Sequence, residues 1–119
     1  MALQAIVVDD RHFAHDARHE DFIKRWIFPG GVLPSVTEIA RRVAGDTDLR
    51  LAHLEDLTGH YAETLRRWHE TFNDRWDEVA ALGFDDRFRR MWNFYLTSCA
   101  ATFHFGNTDV TQITVTRPA

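Results

Sequence analysis

Residues 26–35 read "WIFPGGVLPS". Two prolines and two glycines break the run too often for a helix or a strand, because proline removes a backbone donor and fixes φ. Yet Trp26, Ile27, Phe28, Val32 and Leu33 are too apolar for an ordinary surface loop. The stretch reads as a rigid corner between two helices. Upstream, residues 16–27 carry Phe22, Ile23, Trp26 and Ile27 on one helical stripe, and Pro29 stops that helix because the residue before a proline avoids the helical region. Downstream, Ser35 with Glu38 three residues on has the form of a capping box. It opens a helix over 35–44, with Gly45 as its terminator.

Outward from this corner the pattern continues. Residues 3–8, "LQAIVV", form a short apolar run without alternation, as expected of a strand buried on both faces of a parallel sheet. Residues 49–54 set Leu49, Leu51 and His53 against Arg50, Ala52 and Leu54, and read as a second strand. Tyr61, Leu65, Trp68, Phe72, Trp76 and Val79 recur at helical spacing, predicting a helix over 61–80 that Gly83 closes. A further helix over 85–103 carries Phe88, Met91, Trp92, Tyr95, Leu96, Cys99 and Phe103 on one face. Residues 109–117 alternate Val110 and Gln112 against Thr111, Ile113 and Val115, as a last strand. The predicted order is β-α-α-β-α-α-β over one segment, 1–119. Three strands make a thin, incomplete sheet, so the chain reads as the terminal part of an α/β fold.

The 119 residues suffice for one small domain. With 45% hydrophobic and 27% charged residues the chain is globular. A net charge of −4 gives no basic field for nucleic acid. A single cysteine permits no internal disulfide and suits a reducing cytoplasm. There is no run of ~18 apolar residues to span a bilayer, and "MALQAIVVDD" lacks the basic start of a signal peptide. Four Trp, nine Phe and two Tyr are enough aromatics to line an apolar cavity as well as a core.

Catalytic motifs are sparse. No glycine-rich nucleotide fingerprint, C-x-x-C or nucleophile elbow occurs. His15 and His19, four apart, could face one metal, but among Asp16 and Glu20 they read as a solvated face, and no metal is expected. Cys99, on an apolar stripe, reads as an inert thiol. Tyr95 lies on the same stripe and needs a partner for its hydroxyl if buried. Glu55 and Asp56 are paired carboxylates or simply a turn before a helix. Residue chemistry alone leaves two readings: part of an enzyme with an apolar cavity, or a catalytically silent module binding an acyl chain or a partner.

A resemblance extends these readings. "DFIKRWIFPGGVLPSVTEIA" is similar to a segment of the cyclopropane-fatty-acyl-phospholipid synthases, and "LQAIVVDDR", "EDLTGHYAETLRRWHETF", "RFRRMWNFYLTSCAATF" and "DVTQITV" agree in order around it. The resemblance covers nearly the whole chain. It implies the C-terminal third of a Rossmann-like class I methyltransferase that uses S-adenosylmethionine to methylate a cis double bond in a phospholipid acyl chain. By the same resemblance, Tyr95, Gln4 and Ile6 belong to a bicarbonate site, Ile6 through its backbone. Gln4 stands where several members carry histidine, which changes the donor from imidazole to amide. Phe28, Val32 and Leu33 are placed beside the acyl-chain tunnel, with plain core packing as the alternative. The family's cofactor loop, and the glutamate and cysteine of its bicarbonate site, have no counterpart in these residues. The implied partners are acyl chains at the inner membrane surface, and either an N-terminal methyltransferase chain or a second copy.

Overall fold

The computed structural model describes residues 1–118. The elements run β1 (Ala2–Val8), α1 (Asp10–Asp16), α2 (Phe22–Trp26), α3 (Val36–Asp46), β2 (Arg50–Asp56), α4 (Thr58–Asp74), α5 (Trp76–Ala81), α6 (Asp86–His104) and β3 (Thr108–Thr116). The order is β-α-α-α-β-α-α-α-β rather than the one expected. One predicted helix is divided, and another is shortened and preceded by an additional one.

The helix expected over 16–27 is shortened to α2, and a helix that was not expected, α1, precedes it, because two aspartates cap separately. Asp9 accepts from the Arg11 amide at 2.8 Å and starts α1. Asp21 accepts from the Lys24 amide at 2.8 Å and starts α2. Lys24 Nζ spans the gap, donating to the carbonyls of Asp16 and His19. The helix expected over 61–80 breaks at Arg75, whose φ of −103° and ψ of 21° leave the helical range. Its apolar spacing runs through the break, so the pattern hides it. Gly45 lies inside α3 rather than beyond its end.

The sheet order is β1-β3-β2, with β3 antiparallel to both neighbours. β1 is therefore an edge strand among the described residues. It is not the doubly covered parallel strand its composition suggests: its N-terminal half is exposed and only Val7 and Val8 are buried. The Met1 and Val115 backbones exchange both hydrogen bonds, at 2.9 Å each. This fixes the phase of the ladder, since bonded and non-bonded pairs alternate. Leu3, Ala5 and Val7 bond β3, whereas Ala2, Gln4, Ile6 and Val8 turn their backbone groups to the outer edge. Accordingly, the Val8 amide leaves the sheet and donates to Pro34 O at 3.0 Å. A bulge between Leu51 and His53 brings Leu51 and Leu54 onto one face, where simple alternation separates them.

One sheet face carries Ile6 and Val110 and is covered by Leu65 of α4 with Leu96 and Phe103 of α6. The opposite face buries Val7, Ile113 and Val115. α4 and α6 form a hairpin whose register is set by Asn73 and Asn93: the Asn73 amide donates to Asn93 Oδ1 at 2.6 Å and Asn93 returns a bond at 3.3 Å.

Two glycines give a contrast in sign. Gly30 has φ of +78° and Gly45 is helical, and neither has an atom within 4 Å of an added Cβ. We expect Gly30→Ala to destabilise by about 1 kcal/mol through backbone strain, and Gly45→Ala to stabilise by about 0.5–1 kcal/mol. Denaturant titration of the two variants checks this; equal effects of one sign contradict it.

Candidate functional site

The corner is built from its own sequence. Phe28, Pro29, Gly30 and Gly31 form a type II turn: proline sits second, Gly30 supplies the positive φ, and the Gly31 amide donates to Phe28 O at 2.9 Å. A Cβ on Gly31 would lie 3.0 Å from that oxygen, a tight contact that the turn would have to relieve by a few tenths of an ångström. Pro34 then bonds β1, and Ser35, 2% exposed, caps α3 by accepting from the Glu38 amide at 3.2 Å. Only this half of the expected capping box forms. The Glu38 carboxylate turns instead to Arg41 and Arg42, which hold it down at about 2. Asp10 ties α1 to the start of α3, its carboxyl lowered by the hydroxyls of Ser35 and then Thr37.

Held this way, the corner turns its apolar side chains outward. Phe28 is 56% exposed, Val32 52% and Leu33 39%. None of the three is buried within this chain. Of the three, Phe28 is the one in contact with α6. Phe28 meets Tyr95 edge-on with centroids 6.2 Å apart, and Phe22 of α2 meets Phe94 at 4.7 Å. From Tyr95 the aromatic contact continues along α6 through Trp92 to Phe88.

Tyr95 and Ile6 pack against the same cluster of Leu65, Leu96, Phe103 and Val110. Burial first, then Cys99 and Tyr61, raises the Tyr95 phenol above its usual range, so at neutral pH it is a hydroxyl donor. That hydroxyl has no hydrogen-bond partner among the described residues. The Ile6 amide points to the outer edge of β1 by the ladder phase. Gln4 is two residues along the same strand and face, about 7 Å away; its Oε1 accepts from Gln112 Nε2 at 2.9 Å, which leaves its own NH2 free. An amide NH2, a backbone N–H and a phenol O–H are donors suited to an oxyanion.

Other candidates separate. The rings of His15 and His19 stack at 3.8 Å with 11° between planes, and His19 Nδ1 lies 2.8 Å from His15 O, so they do not converge on one point. No group of three metal-ligating side chains occurs among the described residues. Glu55 and Asp56 face opposite sides of β2: Asp56 accepts from the Thr58 amide at 2.8 Å, and Glu55 lies opposite Gln112. Gln112 escaped the sequence reading. Alternation placed it on the face of Val110, but nothing local says which residue of another strand it meets.

Residues 1–113 match the family model for mycolic acid cyclopropane synthetase. Over 117 residues, 98% of this chain, it is 42% identical to tuberculostearic acid methyltransferase UfaA1 of Mycobacterium tuberculosis. It is 31% identical over 86% of its length to the cyclopropane-fatty-acyl-phospholipid synthase of Escherichia coli K12. These alignments cover 27% and 26% of the relatives, so the chain spans about a quarter of their length. Mycolic acid cyclopropane synthase CmaA1, solved with SAH and CTAB, superposes on 97% of this chain with a TM-score of 0.83 and 27% identity, using 43% of its own length. Cyclopropane synthase MmaA2 of Mycobacterium tuberculosis gives 0.82 and 29%, over 96% of this chain and 42% of its own. The three-stranded α/β arrangement is thus part of the fold these enzymes share.

Burial, and secondarily Asp21, pushes the Cys99 thiol up to about 11 from its ordinary 9.0. The thiol form therefore persists above neutral pH. Alkylation by iodoacetamide is expected to be slow at pH 8 and to reach half its limiting rate near pH 11. A half-point near pH 9 contradicts the buried setting.

Proposed function

We propose that this chain, which belongs to the mycolic acid cyclopropane synthetase family, supplies the acyl-chain wall and the anion pocket of an S-adenosylmethionine-dependent methyl transfer to a cis double bond. The observation that carries the reading is the adjacency of two features. Phe28, exposed like Val32 and Leu33 in the same corner, meets Tyr95, and Tyr95 shares its packing cluster with Ile6. An acyl chain needs the first feature, and an anion needs the donors of the second. That CmaA1 was solved in complex with SAH and CTAB supports a cofactor of this kind for the family.

Gln4 Nε2, the Ile6 N–H and Tyr95 Oη are the groups that would hold bicarbonate. Bicarbonate bound there would supply the base for the proton released on ring closure. The residues of this chain do the rest. Methylation of an alkene leaves positive charge on carbon, which the π faces of Phe28, Trp92 and Tyr95 would stabilise in this reading. The apolar wall keeps water from that cation. The raised Tyr95 phenol stays protonated as a donor.

The two strand-to-helix junctions within the chain, Asp9–Asp10 and Asp56–Leu57, carry carboxylates and no glycine-rich loop. They do not fit the cofactor in the manner the family resemblance implies, and no residue here is assigned to it. In this reading the cofactor site belongs to the part of the relatives that this chain does not span. The substrate is an unsaturated phospholipid acyl chain, reached at the inner membrane surface. No described helix is long and apolar enough to cross a membrane.

Tryptophan fluorescence titration with a cis-unsaturated phospholipid tests the wall. We expect Phe28→Ser and Leu33→Ser each to weaken binding about tenfold, the loss for one large apolar contact; unchanged affinity contradicts the reading. Calorimetry of the 119-residue chain with S-adenosylmethionine is expected to show no saturable heat. Tight saturable binding would place a cofactor site in this chain after all.

A further inference from the structure

Helix α6 presents a stripe that the proposed function does not use. Arg87, Arg90 and Phe94 fall at i, i+3 and i+7, along one side of the helix. All three are exposed. The edge contact of Phe94 with Phe22, at 4.7 Å, seats α2 on this stripe. One turn on from Phe22, Trp26 is exposed, and the Arg25 guanidinium lies 5.6 Å from the centroid of its ring. Two elements distant in sequence thus bring exposed aromatics and arginines to one side of the molecule.

Charge sets this side apart. Most exposed arginines elsewhere are neutralised by carboxylates: Arg41 and Arg42 hold Glu38, Arg66 and Arg67 hold Glu63, and Arg75 holds Glu78. Arg87 and Arg90 have no ion-pair partner among the described residues. Asp85 is engaged in capping the Phe88 amide at 2.9 Å, and Asp86 pairs with neither arginine. Arg25 reaches Glu20 only at 4.0 Å.

We propose that the side formed by Trp26, Phe94, Arg87 and Arg90 docks on an anionic bilayer surface and brings the corner of Phe28, Val32 and Leu33 to the membrane. The inference rests on the reading of that corner as an acyl-chain wall. Phe28 meets Tyr95, the residue after Phe94, so the docking side and the corner adjoin. A bilayer of anionic lipid complements both kinds of residue. Tryptophan sits well at headgroup level, because its ring is apolar and its N–H polar. Arginines beside it meet the lipid phosphates. The chain as a whole carries a net charge of −4, so only a locally cationic side can face such a surface.

Vesicle sedimentation of the 119-residue chain tests this, with saturated phosphatidylglycerol and, separately, saturated phosphatidylcholine. Binding is expected on phosphatidylglycerol, weakened by added salt, and far weaker on phosphatidylcholine. Arg87→Gln and Arg90→Gln should each reduce partitioning roughly fivefold, the contribution of one arginine close to an anionic surface. Arg50→Gln removes an exposed, unpaired arginine from the other edge strand and should leave partitioning unchanged. An unaltered circular dichroism spectrum verifies the fold of each variant. Phosphatidylglycerol brominated on its acyl chains should quench tryptophan emission, and Trp26→Phe should remove most of that quenching. Equal binding to both lipids, an equal loss in Arg50→Gln, or quenching that survives Trp26→Phe overturns the inference. So does the absence of vesicle binding, the outcome expected if an acidic protein covers this side instead. Saturated lipid offers no double bond, so docking is read apart from substrate choice. Docking as expected, with cis-unsaturated phospholipid bound equally well by Phe28→Ser and Leu33→Ser, overturns the wall reading alone.

Discussion

β3 bonds a strand on each edge, and this double pairing is the constraint on which the chain depends. The last strand lies between the first and the second, so Met1 and Val115 exchange backbone bonds across a separation of 114 residues. Without β3, β1 and β2 have no backbone partner, and the helices between them have no platform. The pairing also fixes which groups of β1 point inward. Leu3, Ala5 and Val7 are committed to the ladder. Ile6 keeps its side chain in the core with Val110 and its amide on the outer edge. One alternation therefore makes Ile6 both a structural and a candidate binding residue.

The corner over residues 26–35 depends on that platform. Its turn geometry is local, made by Pro29 and the φ of Gly30. Its position is not local: Val8 N–H to Pro34 O docks it on the outer edge of β1, and Asp10 to Thr37 docks the helix that follows. With both ends held, the middle can turn Phe28, Val32 and Leu33 away from the core. An exposed apolar surface costs a soluble protein unless something covers it. In the proposed function that cover is an acyl chain, and the cost is recovered when the chain binds.

Much of this was legible in the sequence where the signal is local. Ser35 as a cap, Pro29 as a stop and the apolar stripe of α6 each follow from the chemistry of one or two residues. So does the alternation over 109–117. The misreadings have local causes too. Asp16 reads as a helix start, but it ends α1, because Asp9 and Asp21 cap two separate helices. Apolar spacing runs unbroken through Arg75, so the division of α4 from α5 left no mark in the pattern. The bulge at Ala52 needs a partner strand to be seen. Sheet order and register depend on residues about 50 to 110 positions apart, which is why Gln112 was not found as the neighbour of Gln4 and Glu55. Tyr95, Gln4 and Ile6 entered as site candidates through family resemblance, since no spacing rule joins them.

The central claim is that β1 leaves alternate backbone amides, including that of Ile6, unpaired on its outer edge. Amide hydrogen–deuterium exchange read residue by residue tests it directly. The account predicts strong protection at Leu3, Ala5 and Val7, protection of Val8 through Pro34, and rapid exchange at Gln4 and Ile6. Uniform protection along β1 would contradict it, because a second strand, from another copy of the chain, would then occupy the edge where the Ile6 donor is placed.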